Sequence, residues 1–260
     1  MTRRVLPLGA TAALCLLAWA YLVAEAADMG GMSARGIMDA GGMASSWTLA
    51  EVGYLWVMWS IMMVAMMLPA AAPTVLLVAR LGRERRGRAA AAGSGSTWDT
   101  MTPAFVTGYL LTWTAYSVVA ASTQWVLHGT LLVSDMMVSA SPFLSGGLLV
   151  GAGLFQFTPL KDRCIAHCRS PLSFLTSHWR EGTVGALRMG LRHGTYCVGC
   201  CWALMALLFV LGVMNLLWVT GLAVLVLLEK TLPGGRWVTR TGGVALLVWG
   251  AIVLGGALSG

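Results

Sequence analysis

His193-Gly194-Thr195-Tyr196-Cys197-Val198-Gly199-Cys200-Cys201 runs directly into the apolar residues 202–213. Three thiols and an imidazole stand where a hydrophobic segment enters its bilayer. On a helix, Cys197, Cys200 and Cys201 are i, i+3 and i+4 and share one face. His193 lies one turn before Cys197 and joins that face if the helix runs through Gly194. Cys164-Ile165-Ala166-His167-Cys168 repeats the spacing about thirty residues earlier. Five of the six cysteines fall in these two clusters; Cys15 stands alone and reads as packing.

The rest of the composition agrees with a membrane setting. Of 260 residues, 58% are hydrophobic and only 10% charged, against about 25% charged in an ordinary soluble domain. The expected fold is all-α: a polytopic transmembrane helical bundle of six to seven spans. Short cytoplasmic amphipathic helices are expected between spans four and five.

Residues 1–24 open with Thr2-Arg3-Arg4 and continue with enough apolar length to cross a bilayer. A retained first helix is expected, with Ala24-Glu25-Ala26 as a signal-cleavage alternative. Residues 25–50 read as an exported loop, so residues 1–50 are set apart from a metal-binding membrane domain at 51–260. Further spans are expected at residues 52–79, 101–127, 142–157, 195–213, 215–228 and about 238–258. Pro69 and Pro73 are expected to break the second span near Leu68. Thr158-Pro159 has the form of an N-cap with proline at N1, opening a short helix that ends before Pro171.

Charge orients the layout. With the N-terminus inside, 16 of the 17 Lys and Arg residues are cytoplasmic and only Arg35 is not. The net charge of +7 is thereby explained by the lipid bilayer, and nucleic acid is excluded as a partner. The expected location is a bacterial cytoplasmic (inner) membrane, multi-pass.

Both clusters then lie at the cytoplasmic membrane edge, where thiols stay reduced. Grouped thiolates and imidazoles suit soft or borderline metals, copper or zinc above all. The candidate ligands are Cys164, His167, Cys168, His193, Cys197, Cys200 and Cys201. Three residues at i, i+3, i+4 on one helix do not surround an ion, so the clusters are expected to make one site together. Met62 and Met66, in a stripe that also holds Met58, Met63 and Met67, are weaker candidates, as are His178 and Asn215. Methionine also fills apolar gaps, and this stripe, crossing the bilayer, need not meet the cysteines. Gln156 and Asn215 read as helix-to-helix hydrogen bonders, and Glu229-Lys230 as a solvated pair at the interface.

Three motifs carry a family resemblance: Ala65-Met66-Met67-Leu68-Pro69 with Pro73; Gln156-Phe157-Thr158-Pro159-Leu160-Lys161-Asp162-Arg163-Cys164 with Cys168-Arg169 and Pro171; and His193 to Trp202 with Gly212-Val213-Met214-Asn215. Over about residues 50–255 the chain closely resembles the bacterial domain-of-unknown-function family 2182, described as predicted metal-binding integral membrane proteins. The resemblance implies metal binding at the seven Cys and His residues above and supplies no reaction.

The expected function is therefore transition-metal binding at the cytoplasmic face, in metal handling or metalloprotein assembly. A metalloprotein or metal chaperone is the expected partner. The rival readings are a membrane thiol or metal oxidoreductase using Cys197 and Cys200, and a structural subunit whose cysteines only pack.

Overall fold

The computed structural model describes residues 6–34, 49–91, 100–129, 141–213 and 215–259. All regular structure among them is helical: α1 (Leu6–Ala34), α2 (Leu49–Ala91), α3 (Met101–Gly129), α4 (Pro142–Phe155), α5 (Pro159–Arg169), α6 (Pro171–His178), α7 (Gly182–Ala206), α8 (Leu208–Leu211), α9 (Leu216–Thr231) and α10 (Gly235–Ser259). Among the described residues, five helical segments are long and apolar enough to cross a membrane. A sixth span results if α4 and α5, bent by 65° to one another, are counted as one. Among the described residues a seventh crossing is not reached, because the helix at the expected 215–228 span is the short α9. With 16 residues, α9 extends about 24 Å, against a hydrocarbon core of about 30 Å.

The centre of the bundle is built on α2, α3 and α7. Glycines let α3 and α7 touch backbone to backbone: Gly190 lies on the Phe105 carbonyl and Gly108 on that of Leu187, so a Cβ at either position meets main chain. Small residues at such crossings are how helices associate where lipid is as apolar as leucine. Thr112 adds an interhelical bond, its hydroxyl donating to Leu191 O at 3.2 Å. By contrast, only 11% of the apolar window of α1 or α10 is buried. Leu16, Leu17, Val248 and Ile252 point outward, as lipid-facing residues do.

Three elements differ from the sequence reading. First, α2 is one helix with Pro69 and Pro73 inside it. Proline removes the donor that would bond the carbonyl four residues back, which orphans Ala65 O. The indole of Trp19 on α1 donates to that oxygen at 3.0 Å, so the helix keeps its path with a neighbour supplying the missing bond. Second, α7 begins at Gly182 rather than near Thr195. His193 and Gly194 are therefore helix interior, because glycines here serve the α3 crossing. Third, α1 continues to Ala34, about ten residues into the expected loop; residues 35–48 lie outside the described residues, as do most of the linker after α2 and of the loop after α3.

The cap at Thr158 is as expected. Its hydroxyl accepts from Lys161 N at 3.3 Å, Pro159 is the first helical residue, and α5 ends at Arg169.

Candidate metal centre

A buried ionic cluster fixes α5 in place. Lys161 is fully buried and pairs with Glu229 of α9 at 2.9 Å; its ammonium also donates to Gln156 Oε1 at the α4–α5 bend. Arg169 Nε donates to Glu229 O at 2.7 Å. Arg240 of α10 pairs with Asp162 at 3.0 Å. The expectation of a solvated Glu229-Lys230 is thus corrected: both side chains are buried. A buried charge needs a partner: Glu229 finds Lys161 on α5, and the Lys230 ammonium donates to Cys197 Sγ on α7.

With Lys161 facing inward, helical spacing turns Ile165 and Cys168 the same way, and these three form the buried face of α5. Cys168 is buried on this face, toward Cys197 and Cys200 of α7. Cys164, one turn earlier, is half-buried and lies over Gly199, where an added Cβ would be 2.8 Å from its sulfur. The glycine inside Cys197-Val198-Gly199-Cys200 is what lets α5 come this close.

Cys197, Cys200 and Cys201 are each 1% exposed. The thiols of Cys200 and Cys201 donate to Cys197 O at 3.1 and 2.8 Å. Cys201 also lies 3.9 Å from Met67 Sδ, so one member of the methionine stripe does meet the cysteines. Lys230 Nζ stands 2.8 Å from Cys197 Sγ. The Tyr109 hydroxyl lies 2.9 Å from Met67 O and 3.0 Å from the same Cys197 sulfur, and it has one proton to give. Five sulfurs from α2, α5 and α7 therefore gather around one ammonium and one phenol.

Other candidates lie elsewhere. Met62 and Met66 are buried in the core. Asn215 is exposed and caps α9, its Oδ1 accepting from Leu217 N at 3.2 Å. His193 is buried among Phe105, Tyr109 and Phe174, and its Nδ1 has no partner. His167 turns away from the sulfurs and stacks on Tyr196 with ring centres 4.0 Å apart. His178 sits 6.3 Å from His167, ring to ring.

Among the described residues, no three His, Cys, Asp or Glu side chains stand in a ready-made metal geometry. The hydrogen bonds give the reason: Cys200 and Cys201 are turned back onto their own helix. A χ1 rotation between staggered rotamers is what would release them. Lys230 and Tyr109 are the site residues that sequence reasoning missed. A lysine beside a glutamate at a helix end reads as solvated, and only the packing of α9 against α7 turns it inward.

No curated protein and no solved structure matches the chain. Residues 56–253 match PpoB2, a family described as a copper chaperone. The expectation of a metal-related family holds at that level, and the family's description fits metal handling. The chain belongs to the PpoB2 copper chaperone family.

Proposed function

We propose that this protein holds copper(I) in the sulfur pocket formed by Cys168, Cys197, Cys200 and Cys201, with Met67 beside it and Cys164 at its rim, and passes the ion to or from a partner metalloprotein or soluble metal carrier. The observation that carries the reading is the Lys230 ammonium, 2.8 Å from Cys197 in a buried, sulfur-lined space. A buried ammonium needs a counter-charge, and a thiolate is what Cys197 offers. Soft thiolate and thioether donors select copper(I).

Charge balance favours copper(I) over zinc. Copper(I) on two thiolates carries one negative charge, which Lys230 neutralises. Zinc in a four-thiolate shell carries two, and the pocket has one ammonium to set against them. Loading is then Cu⁺ plus one thiolate and one thiol, giving a bis-thiolate complex and one released proton. No electron moves. Family membership favours this handling role over the thiol-oxidoreductase and packing readings.

The distribution of basic residues supports a pocket toward the cytoplasmic side of a bacterial inner membrane, with the N-terminus cytoplasmic. Anaerobic titration of the detergent-purified chain tests the function. One tightly held copper(I) per chain, not displaced by zinc(II) and lost in Cys197→Ser/Cys200→Ser, is expected. Preferential zinc binding, or no retained copper, would overturn it.

A further inference from the structure

Two half-buried histidines face one another outside the sulfur pocket. His167 Nδ1 is 2.9 Å from Arg163 O and His178 Nδ1 is 3.0 Å from Phe174 O. A carbonyl only accepts, so each Nδ1 carries the proton, and in the neutral ring Nε2 is the nitrogen that keeps a lone pair. That tautomer, fixed by a backbone carbonyl, is the one metal-binding imidazoles adopt. The ring centres are 6.3 Å apart. Two imidazoles on one ion, with nitrogens about 2 Å from it, place their ring centres within roughly 6 Å of each other, so little movement is required.

The pair has an approach from outside and a path inward. His178 lines a cavity of about 500 Å³ whose wall also holds Trp179, Arg180, Arg188 and Arg192. Inward, the Phe174 ring touches both His178, at 5.1 Å, and the buried His193, at 5.0 Å. His193 is 2% exposed, has an unpartnered Nδ1 and lies one helical turn from Cys197. Tyr196, stacked on His167, is the residue next to Cys197.

We propose that His167 and His178 form a two-imidazole loading port for copper(I), from which the ion passes by His193 into the Cys197 pocket. The proposal rests on the copper-handling reading and assigns these histidines to transfer rather than to the resting site. The three arginines repel a free cation, so copper reaches the port in an anionic complex. Each transfer is a ligand exchange: one copper–donor bond forms as another breaks, and copper stays at +1. The carrier keeps its own electron pairs, and the thiol proton is the one released.

The test is stopped-flow loading of the full chain in detergent from the anionic copper(I)–bathocuproine disulfonate complex, whose colour fades as copper leaves. His167→Gln/His178→Gln is expected to load at least about tenfold more slowly, the scale on which a changed ligand acts, with final copper content and affinity unchanged. An unchanged rate, or a fall in equilibrium affinity, would overturn the port. X-ray absorption on Cys197→Ser/Cys200→Ser separates this proposal from the reading beneath it. Weakly held copper with two nitrogen ligands, abolished by adding the two histidine changes, supports the port even if the thiol pocket fails. Absence of any nitrogen-bound copper there sinks the port alone.

Discussion

Replacing Lys230 with methionine keeps the length of the side chain and removes its charge. Its Nζ is 2.8 Å from Cys197 Sγ, and the residue is 6% exposed. Opposite unit charges about 4 Å apart attract by about 4 kcal/mol at an effective dielectric constant near 20. Truncating one member of a buried charge pair costs about 2–5 kcal/mol. Without Lys230, copper loading creates an unpaired negative charge in the interior. Taking about 3 kcal/mol for that charge, affinity falls about 100-fold, since about 1.4 kcal/mol is a factor of ten. The variant also starts with Cys197 as a thiol, so loading releases two protons instead of one. Its copper affinity then climbs about twice as steeply with pH as that of the native protein, because ligand deprotonation is linked to binding. Anaerobic competition with a copper(I) chelator between pH 6 and 8, together with proton-release calorimetry, reads both quantities. Lys230→Arg, which keeps the charge, should remain close to native. Native affinity and single-proton release in Lys230→Met would refute the charge-balance argument.

Trp19→Phe removes the indole donor to Ala65 O, leaving only the Cys15 thiol at 4.0 Å, and should cost about 1–3 kcal/mol, read as a lower thermal unfolding midpoint in detergent; an unchanged midpoint would mean the proline gap in α2 is filled some other way. Lys161→Met strands a buried Glu229 and should destabilise by about 3–5 kcal/mol, most of it regained in Lys161→Met/Glu229→Leu; additive losses would show that the pair does not act as a unit. A cysteine placed at Gly93 should react with impermeant reagents only from the cytoplasmic side, and periplasmic reactivity would invert the layout.

The thiol clusters, the Thr158-Pro159 cap and the helical class were legible because each depends on local spacing. Cysteines at i, i+3, i+4 share a face whatever surrounds them, and Thr before Pro caps wherever a helix begins. What escaped depends on distant parts of the chain. Lys230 and Glu229 are buried because α9 packs into the bundle, where Cys197 of α7 and Lys161 of α5 meet them. The carbonyl that Pro69 orphans in α2 is met by a tryptophan forty-six residues before it. The early start of α7 is set by glycines whose role appears only against α3. Of the clustered histidines, spacing showed that they lie near the thiols, but not that His167 turns to Tyr196 while His193 faces an aromatic cage.

The central claim is that the thiols of α5 and α7 serve one copper(I) ion. X-ray absorption of the copper-loaded native chain, compared with Cys164→Ser/Cys168→Ser, Cys197→Ser/Cys200→Ser and the fourfold variant, tests it most directly. A first shell of sulfur alone in the native protein is expected, with copper content falling about equally in the two paired variants and little further in the fourfold one. A nitrogen- or oxygen-dominated shell in the native chain, or independent losses from the two pairs that add in the fourfold variant, would contradict it.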